Sequence, residues 1–271
     1  MQLSITSWSF PSLTLSECAA VARALGIGAI DVGLFYRSGL SRDAILADPA
    51  AVARELAGLE IGITNYYHLF GEGLGGRNLA LPGTIDDNVR DLEKVLTFAD
   101  AADIPTVFVL PGVVNAGQTR EAAAAVSADS LRALMAVAGD FRATLAIEPH
   151  VHSFAESPDI VRRLVDDTGI ALVLDYAHFA CLGYRQDEID ALAPFAAHVH
   201  LRQARMGALQ TKFAHGTLNF PAMFGTLREA GYGGALAIEP VHQDYMNTLF
   251  EDVLSEAVAL RDCFLAYREG L

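Results

Sequence analysis

Short apolar runs alternate with stretches of helical periodicity along the whole chain. The clearest helical pattern begins at Ile85, after which apolar residues recur at spacings of three and four as far as Ala99. The apolar runs have the length and aliphatic content of buried strands, and no linker or low-complexity tract divides them. This alternation predicts strands at residues 3–8, 29–34, 61–65, 106–110, 144–148, 170–175, 197–200 and 235–239.

Helices are predicted between the strands, at residues 15–25, 50–56, 85–99, 119–137 and 249–267. A further helix begins at Ser157 and Pro158, a favourable N-cap and first-turn pair. Eight uninterrupted β/α units predict one α/β domain, a (β/α)8 TIM barrel over residues 1–271. A doubly wound open sheet is the alternative, but it usually has a glycine-rich turn after its first strand. Residues 7–11 contain no glycine, so the barrel is favoured.

Length and composition suit one large apolar core. The chain has 271 residues, of which 52% are hydrophobic, yet no apolar run reaches the roughly 18 residues that a membrane span needs. It opens as a strand without a basic and apolar leader, and its three cysteines are widely spaced, so a cytoplasmic location is predicted. A net charge of −14 disfavours nucleic acid and anionic membranes as partners and favours a small-molecule ligand.

Four polar residues end the last four predicted strands: Glu148, Asp175, His200 and Glu239. The carboxyl ends of parallel strands meet at one edge of the sheet, where the active sites of such folds lie. Each residue alone has an ordinary explanation, as a solvated loop charge or a hydrogen-bonded core histidine. Three carboxylates buried together without a cation would cost roughly several kcal/mol per unpaired charge. The set therefore predicts a site for a divalent metal ion.

Five segments around these strand ends carry a family resemblance. They are residues 146–149 (Ala-Ile-Glu-Pro), 174–178 (Leu-Asp-Tyr-Ala-His), 198–202 (His-Val-His-Leu-Arg), 216–220 (Gly-Thr-Leu-Asn-Phe) and 231–239 (Gly-Tyr-Gly-Gly-Ala-Leu-Ala-Ile-Glu). In these segments and in their order, the chain resembles the xylose isomerase-like TIM barrel superfamily, in its sugar (phosphate) isomerase/epimerase branch. The resemblance covers essentially the whole chain.

The resemblance implies roles for the residues at the strand ends. Glu148, Asp175, His200 and Glu239 would bind one divalent ion, with Mn²⁺, Mg²⁺ or Co²⁺ expected first and Zn²⁺ also compatible. The two glutamates would also act as the proton-transfer groups. His178 would hydrogen-bond a substrate oxygen, the alternative being a histidine that caps a helix.

Four more residues are candidate substrate contacts. One of Arg202 and Arg205 is expected to bind a substrate oxygen or a carboxylate, the alternative being an ordinary position in a surface loop. Trp8, at the end of the first strand, can stack on a sugar or plug the barrel. His68, beyond the third strand, can line the pocket.

The expected function is that of a metal-dependent isomerase or 3-epimerase in carbohydrate metabolism, acting on a keto sugar or a related sugar derivative. Removal of the proton next to a carbonyl gives an enediolate, which a cation stabilises while two carboxylates exchange the proton. A hydro-lyase similar to inosose dehydratase, a non-catalytic sugar-binding barrel and an apurinic endonuclease are the alternatives, and the acidic charge counts against the last. Dimers or tetramers are expected only by analogy with relatives.

Overall fold

Parallel strands closed into a barrel form the centre of the molecule. The structure is a computed structural model that describes residues 1–73, 75–242, 248 and 252–270. The strands are β1 (Gln2–Thr6), β2 (Ala29–Gly33), β3 (Gly62–Tyr67), β4 (Thr106–Val109), β5 (Thr144–Ile147), β6 (Ala171–Asp175), β7 (Ala196–Leu201) and β8 (Ala235–Ile238). Each strand pairs in parallel with the next, and β8 pairs with β1 through Ala235 opposite Gln2. The predicted (β/α)8 barrel is confirmed, and the open-sheet alternative is wrong.

Helices follow the strands throughout the described residues. They are α1 (Leu15–Ala24), α2 (Arg42–Ala47), α3 (Pro49–Ala57), α4 (Ile85–Ala101), α5 (Arg120–Ala138), α6 (Pro158–Thr168), α7 (Tyr176–Ala180), α8 (Gln186–Asp190), α9 (Phe220–Glu229) and α10 (Val253–Glu269). The predicted start of the last helix at residue 249 lies outside the described residues. Within the described part of the chain, no helix combines the length and apolar content that a membrane crossing requires.

Local capping explains where several helices begin. The Ser157 hydroxyl accepts a hydrogen bond from the Ile160 N–H at 3.2 Å, and Pro158 occupies the first turn of α6, as predicted. Two helices lie between β2 and β3, where the sequence pattern predicts one. Asp48 ends α2 and also caps α3, accepting from the Ala51 N–H at 3.0 Å, so the chain turns between the two helices.

Aromatic side chains line the carboxyl end of the barrel. The rings of Tyr67 and Phe108 stack with their centroids 4.4 Å apart, and Trp8 meets Tyr67 edge-on at 6.0 Å. Phe108 and Trp8 also contact the imidazole of His200, at 5.5 Å and 5.9 Å between ring centroids. This packing fixes the orientation of side chains at the strand ends, where the polar residues predicted to form a site are located.

Gly112, just after β4, lies where the fold leaves no room for a side chain. Its φ is +106°, and a Cβ atom there would lie 2.6 Å from the Ala80 backbone nitrogen. We expect Gly112→Ala to lower the free energy of unfolding by about 2–4 kcal/mol, because a backbone clash adds to the strain. Gly117→Ala is the control: φ is +78° but the space is open, so we expect about 1 kcal/mol. Urea denaturation measures both, and equal losses would contradict the steric argument.

Candidate metal centre and substrate cavity

Three of the four predicted ligands converge at the carboxyl end of the barrel. Glu148 directly follows β5, His200 lies in β7, and Glu239 directly follows β8. One ligand atom from each lies within 4.8 Å of the other two. Glu148 Oε1 is 2.7 Å from His200 Nδ1, which is 3.5 Å from Glu239 Oε2. All three side chains are buried.

The fourth predicted ligand, Asp175, lies beside the cluster and is hydrogen-bonded to Arg202. Asp175 Oδ2 accepts hydrogen bonds from Arg202 Nε at 2.9 Å and from Nη2 at 2.6 Å. Its Oδ1 accepts from the Ala177 N–H at 2.8 Å, because Asp175 is also the N-cap of α7. Arg202 Nη2 additionally lies 3.5 Å from Glu239 Oε2, so the arginine joins Asp175 to the three-residue cluster.

The cluster of Glu148, His200 and Glu239 has the chemistry of a divalent metal site. Carboxylate oxygens and an imidazole nitrogen are ligands that Mn²⁺, Mg²⁺, Co²⁺ or Zn²⁺ accept, in different proportions. Glu239 Oε2 is buried and accepts no hydrogen bond from the described residues, and Arg202 Nη2 approaches it only to 3.5 Å, so it has the capacity to bind a cation or a ligand. Glu148, His200 and Glu239 would hold such an ion through their carboxylate oxygens and imidazole nitrogen. The residues present therefore fit a divalent ion.

The charges within the cluster shift one another's pKa values. Burial raises the pKa of Glu148 to about 7, against the opposing effect of His200. Burial also disfavours charge on Glu239, but Arg202 and His200 outweigh it and lower the pKa of that carboxyl. For His200 the effect of burial is outweighed by Glu239, Asp31 and Glu148, so its pKa rises well above the usual value. The two glutamates thus differ in their affinity for a proton.

A small cavity opens beside the cluster. Its volume is about 220 Å³, and Glu148, Arg202 and Glu239 form its charged side. The remaining described lining residues are Trp8, Phe35, Tyr36, Tyr67, Phe108, His150, Leu209 and Val241. Trp8 Nε1 donates a hydrogen bond to Glu239 Oε1 at 2.7 Å, whereas Oε2 faces Arg202 Nη2 and His200 Nδ1, each at 3.5 Å.

The predicted substrate contacts fall at different places around this cavity. Trp8 and Arg202 line it, and His178 lies buried behind Arg202, with its Nε2 3.0 Å from Arg202 Nη2. Arg205 is exposed and is not among the lining residues described. His68 is buried against Tyr66 and Phe70 and also lies outside the described lining. Burial lowers the pKa of His68 to about 3.

Asp31 is a buried charge that the sequence reasoning missed. It accepts hydrogen bonds from the hydroxyls of Ser4 at 2.6 Å and Thr64 at 2.7 Å, and its Oδ2 lies 2.6 Å from His198 Nε2. Burial alone would raise the pKa of Asp31, but His198 and His200 hold it well below its usual range. A lone aspartate inside the apolar run of residues 29–34 was the available signal.

His150 and His178 also approach Glu148 closely enough to form a second candidate ligand group. Their rings lie 4.1 Å apart between centroids. Burial lowers the pKa of His150 to about 4 and that of His178 well below the usual value, so both imidazoles are neutral at pH 7.

A closed parallel barrel with a metal-competent carboxylate and imidazole cluster at its carboxyl end defines the class of protein. Residues 19–261 match the xylose isomerase-like TIM barrel family, and the chain belongs to that family. A structure of L-ribulose 3-epimerase covers 100% of this chain and 95% of its own at a TM-score of 0.76 and 18% identity, which shows a shared fold.

Two curated relatives are sugar isomerases. The chain is 26% identical over 176 residues to 2-oxo-tetronate isomerase of Pectobacterium atrosepticum, a match over 59% of this chain and 63% of that protein. It is 25% identical over 183 residues to inosose isomerase of Halalkalibacterium halodurans, over 62% of this chain and 64% of that protein. The chain thus matches less than two thirds of the length of either relative.

Proposed function

We propose that this protein is a divalent-metal-dependent isomerase or 3-epimerase of a keto sugar or a related sugar derivative. The observation that carries the proposal is the placement of Glu148 and Glu239. They extend from β5 and β8, which two other strands separate, yet they meet at one buried cluster on the wall of one cavity. Two carboxylates placed on different sides of a bound carbon can take a proton from it and return one.

Glu148, His200 and Glu239 would hold the ion, with Asp175 adjacent as the fourth predicted ligand. A bound divalent ion would stabilise negative charge on the substrate oxygens as the proton leaves. The proposed ion is one of Mn²⁺, Mg²⁺, Co²⁺ or Zn²⁺. The names of the two curated relatives, both isomerases, support the same type of reaction.

The side chains of this protein supply binding and proton transfer. Glu148, whose pKa is raised by burial, and Glu239, whose pKa is lowered, offer a proton donor and an acceptor facing one cavity. Trp8 donates a hydrogen bond to Oε1 of Glu239, and Oε2 of the same carboxylate faces the cluster. Arg202 lines the cavity and would donate to a substrate oxygen, and His178, in contact with the guanidinium, would help to orient it.

Exchange of a carbon-bound proton with solvent tests the proposal. Metal-loaded protein is incubated in D₂O with a panel of C4–C6 ketoses, inososes and keto-sugar acids, and products are analysed by NMR and mass spectrometry. We expect deuterium in a C–H bond next to the carbonyl, with product mass otherwise unchanged. Loss of water would indicate the hydro-lyase alternative, since elimination begins with the same proton removal. Lack of exchange across the panel, with metal bound, would contradict enolisation.

A further inference from the structure

The cavity contains little positive charge for its ligand. Arg202 is the only lysine or arginine among the described residues that line it, and its guanidinium is already bonded to Asp175 through Nε and Nη2. The other basic side chain of the wall, His150, has its Nδ1 2.7 Å from the Val151 carbonyl oxygen. The charge of Arg202 is therefore offset within the protein before any ligand enters.

The residues after β8 that lie outside the described structure include no lysine or arginine. Residues 243–251 contain neither lysine nor arginine and include Asp244 and Glu251. Apart from Thr248, these residues lie outside the described part of the structure. Leu74 and Leu271, the other residues outside it, are likewise uncharged.

The cavity wall carries more negative than positive charge. Glu148 and Glu239 both face the cavity, and a divalent ion bound between them would offset their two charges without leaving an excess. An anionic group on the ligand, placed away from the ion, would then lie beside carboxylates without an unpaired cation among the described wall residues to neutralise it. Placing such a group in a buried site is unfavourable and acts against anionic ligands.

Aromatic rings line the same cavity beside the charged side chains and suit an uncharged polyol. Trp8, Tyr67 and Phe108 present ring surfaces that are packed against one another at 6.0 Å and 4.4 Å between centroids. Such surfaces cover the C–H faces of a sugar and contribute nothing to the binding of a phosphate. The volume of about 220 Å³ is below the roughly 300 Å³ at which pockets for drug-sized ligands begin, which suits one monosaccharide.

We propose that this cavity selects an uncharged ketose or cyclic keto-polyol and excludes sugar phosphates and sugar acids. This proposal narrows the substrate class, and the selected ligand is a substrate only if the proposed function holds. As a statement about binding, it depends on the charges and the surfaces of the cavity wall and can be tested without turnover.

The single tryptophan of the chain provides the binding assay. Trp8 lies in the cavity wall, so its fluorescence reports occupation of the site. Mn²⁺-loaded protein is titrated with D-fructose, D-tagatose and myo-inosose, and with D-fructose 6-phosphate, D-tagatose 6-phosphate and 5-keto-D-gluconate as anionic counterparts. Calorimetry with the same ligands provides an independent Kd. We expect the tightest uncharged ligand to bind at least about tenfold more tightly than every anionic one.

A charge placed in the wall tests the physical cause. Phe35→Arg adds an unpaired cation beside the cavity, and Phe35→Gln is the matched uncharged control. We expect the preference for uncharged ligands to fall at least about threefold in Phe35→Arg and to stay unchanged in Phe35→Gln. An anionic ligand that binds the unaltered protein as tightly as the uncharged ones overturns the proposal, as does failure of every uncharged ligand to bind.

The result separates this inference from the proposed function. Tight binding of an uncharged keto-polyol without deuterium exchange would refute enolisation and leave the selectivity intact. Deuterium exchange on a sugar acid or a sugar phosphate in preference to uncharged ligands would refute the selectivity and leave the isomerase chemistry intact.

Discussion

Glu148→Gln is expected to lower kcat by about 10²–10⁴-fold at saturating Mn²⁺, because an amide neither accepts nor returns the proton that the carboxylate moves. Glu239→Gln is expected to lower kcat by a similar factor, since proton transfer on two faces of a carbon needs both groups. The measurement is the initial rate with the substrate identified by deuterium exchange, together with the Mn²⁺ affinity of each variant by calorimetry.

Metal content distinguishes the two roles of these glutamates. A variant that still binds Mn²⁺ but has lost turnover has lost proton transfer, whereas a variant that has lost both has lost the centre. Glu121→Gln, on the exposed surface of α5, is the control and should keep kcat within about twofold. A Glu148→Gln protein with more than a tenth of the original kcat would contradict its assignment as a proton-transfer group.

Arg202→Met is expected to lower the free energy of unfolding of the metal-free protein by about 3–5 kcal/mol. Arg202 and Asp175 are both buried, and removing the guanidinium leaves the Asp175 carboxylate without its cation. Urea denaturation in the presence of EDTA measures the loss.

Arg205→Met is the matched control for that variant. Arg205 lies three residues away on the same segment but is exposed, so its replacement should change stability by no more than about 0.5 kcal/mol. A loss below about 1 kcal/mol for Arg202→Met would show that the Asp175 charge is neutralised by another group and would weaken the charge balance argued for the cavity.

Much of the fold was predictable because its signals are local. Strand-length apolar runs, helical spacings and the Ser157–Pro158 start of α6 depend on residues close together in the chain, and the structure agrees with each. The extra helix boundary at Asp48 was missed, although an aspartate followed by proline is a helix-start signal.

The site was predictable in part for a related reason. Parallel strands in a closed barrel bring their carboxyl ends together, so the fold itself gathers polar residues that end strands, and Glu148, His200 and Glu239 meet in this way. Asp31 was missed because it lies inside an apolar run, and its partners come from other strands: hydroxyls from the neighbouring β1 and β3, and an imidazole from β7.

The amino-acid sequence by itself determined the barrel, the order of its strands and the residues that end them, because hydrophobic periodicity encodes which face of each element is buried. Only the tertiary structure decided how those residues share their charges: that Arg202 bonds Asp175, that Trp8 donates a hydrogen bond to Glu239, and that aromatic rings line the same cavity. Such pairings join strands distant in the chain, and the distances between their atoms depend on strand register and side-chain packing, which no local pattern specifies.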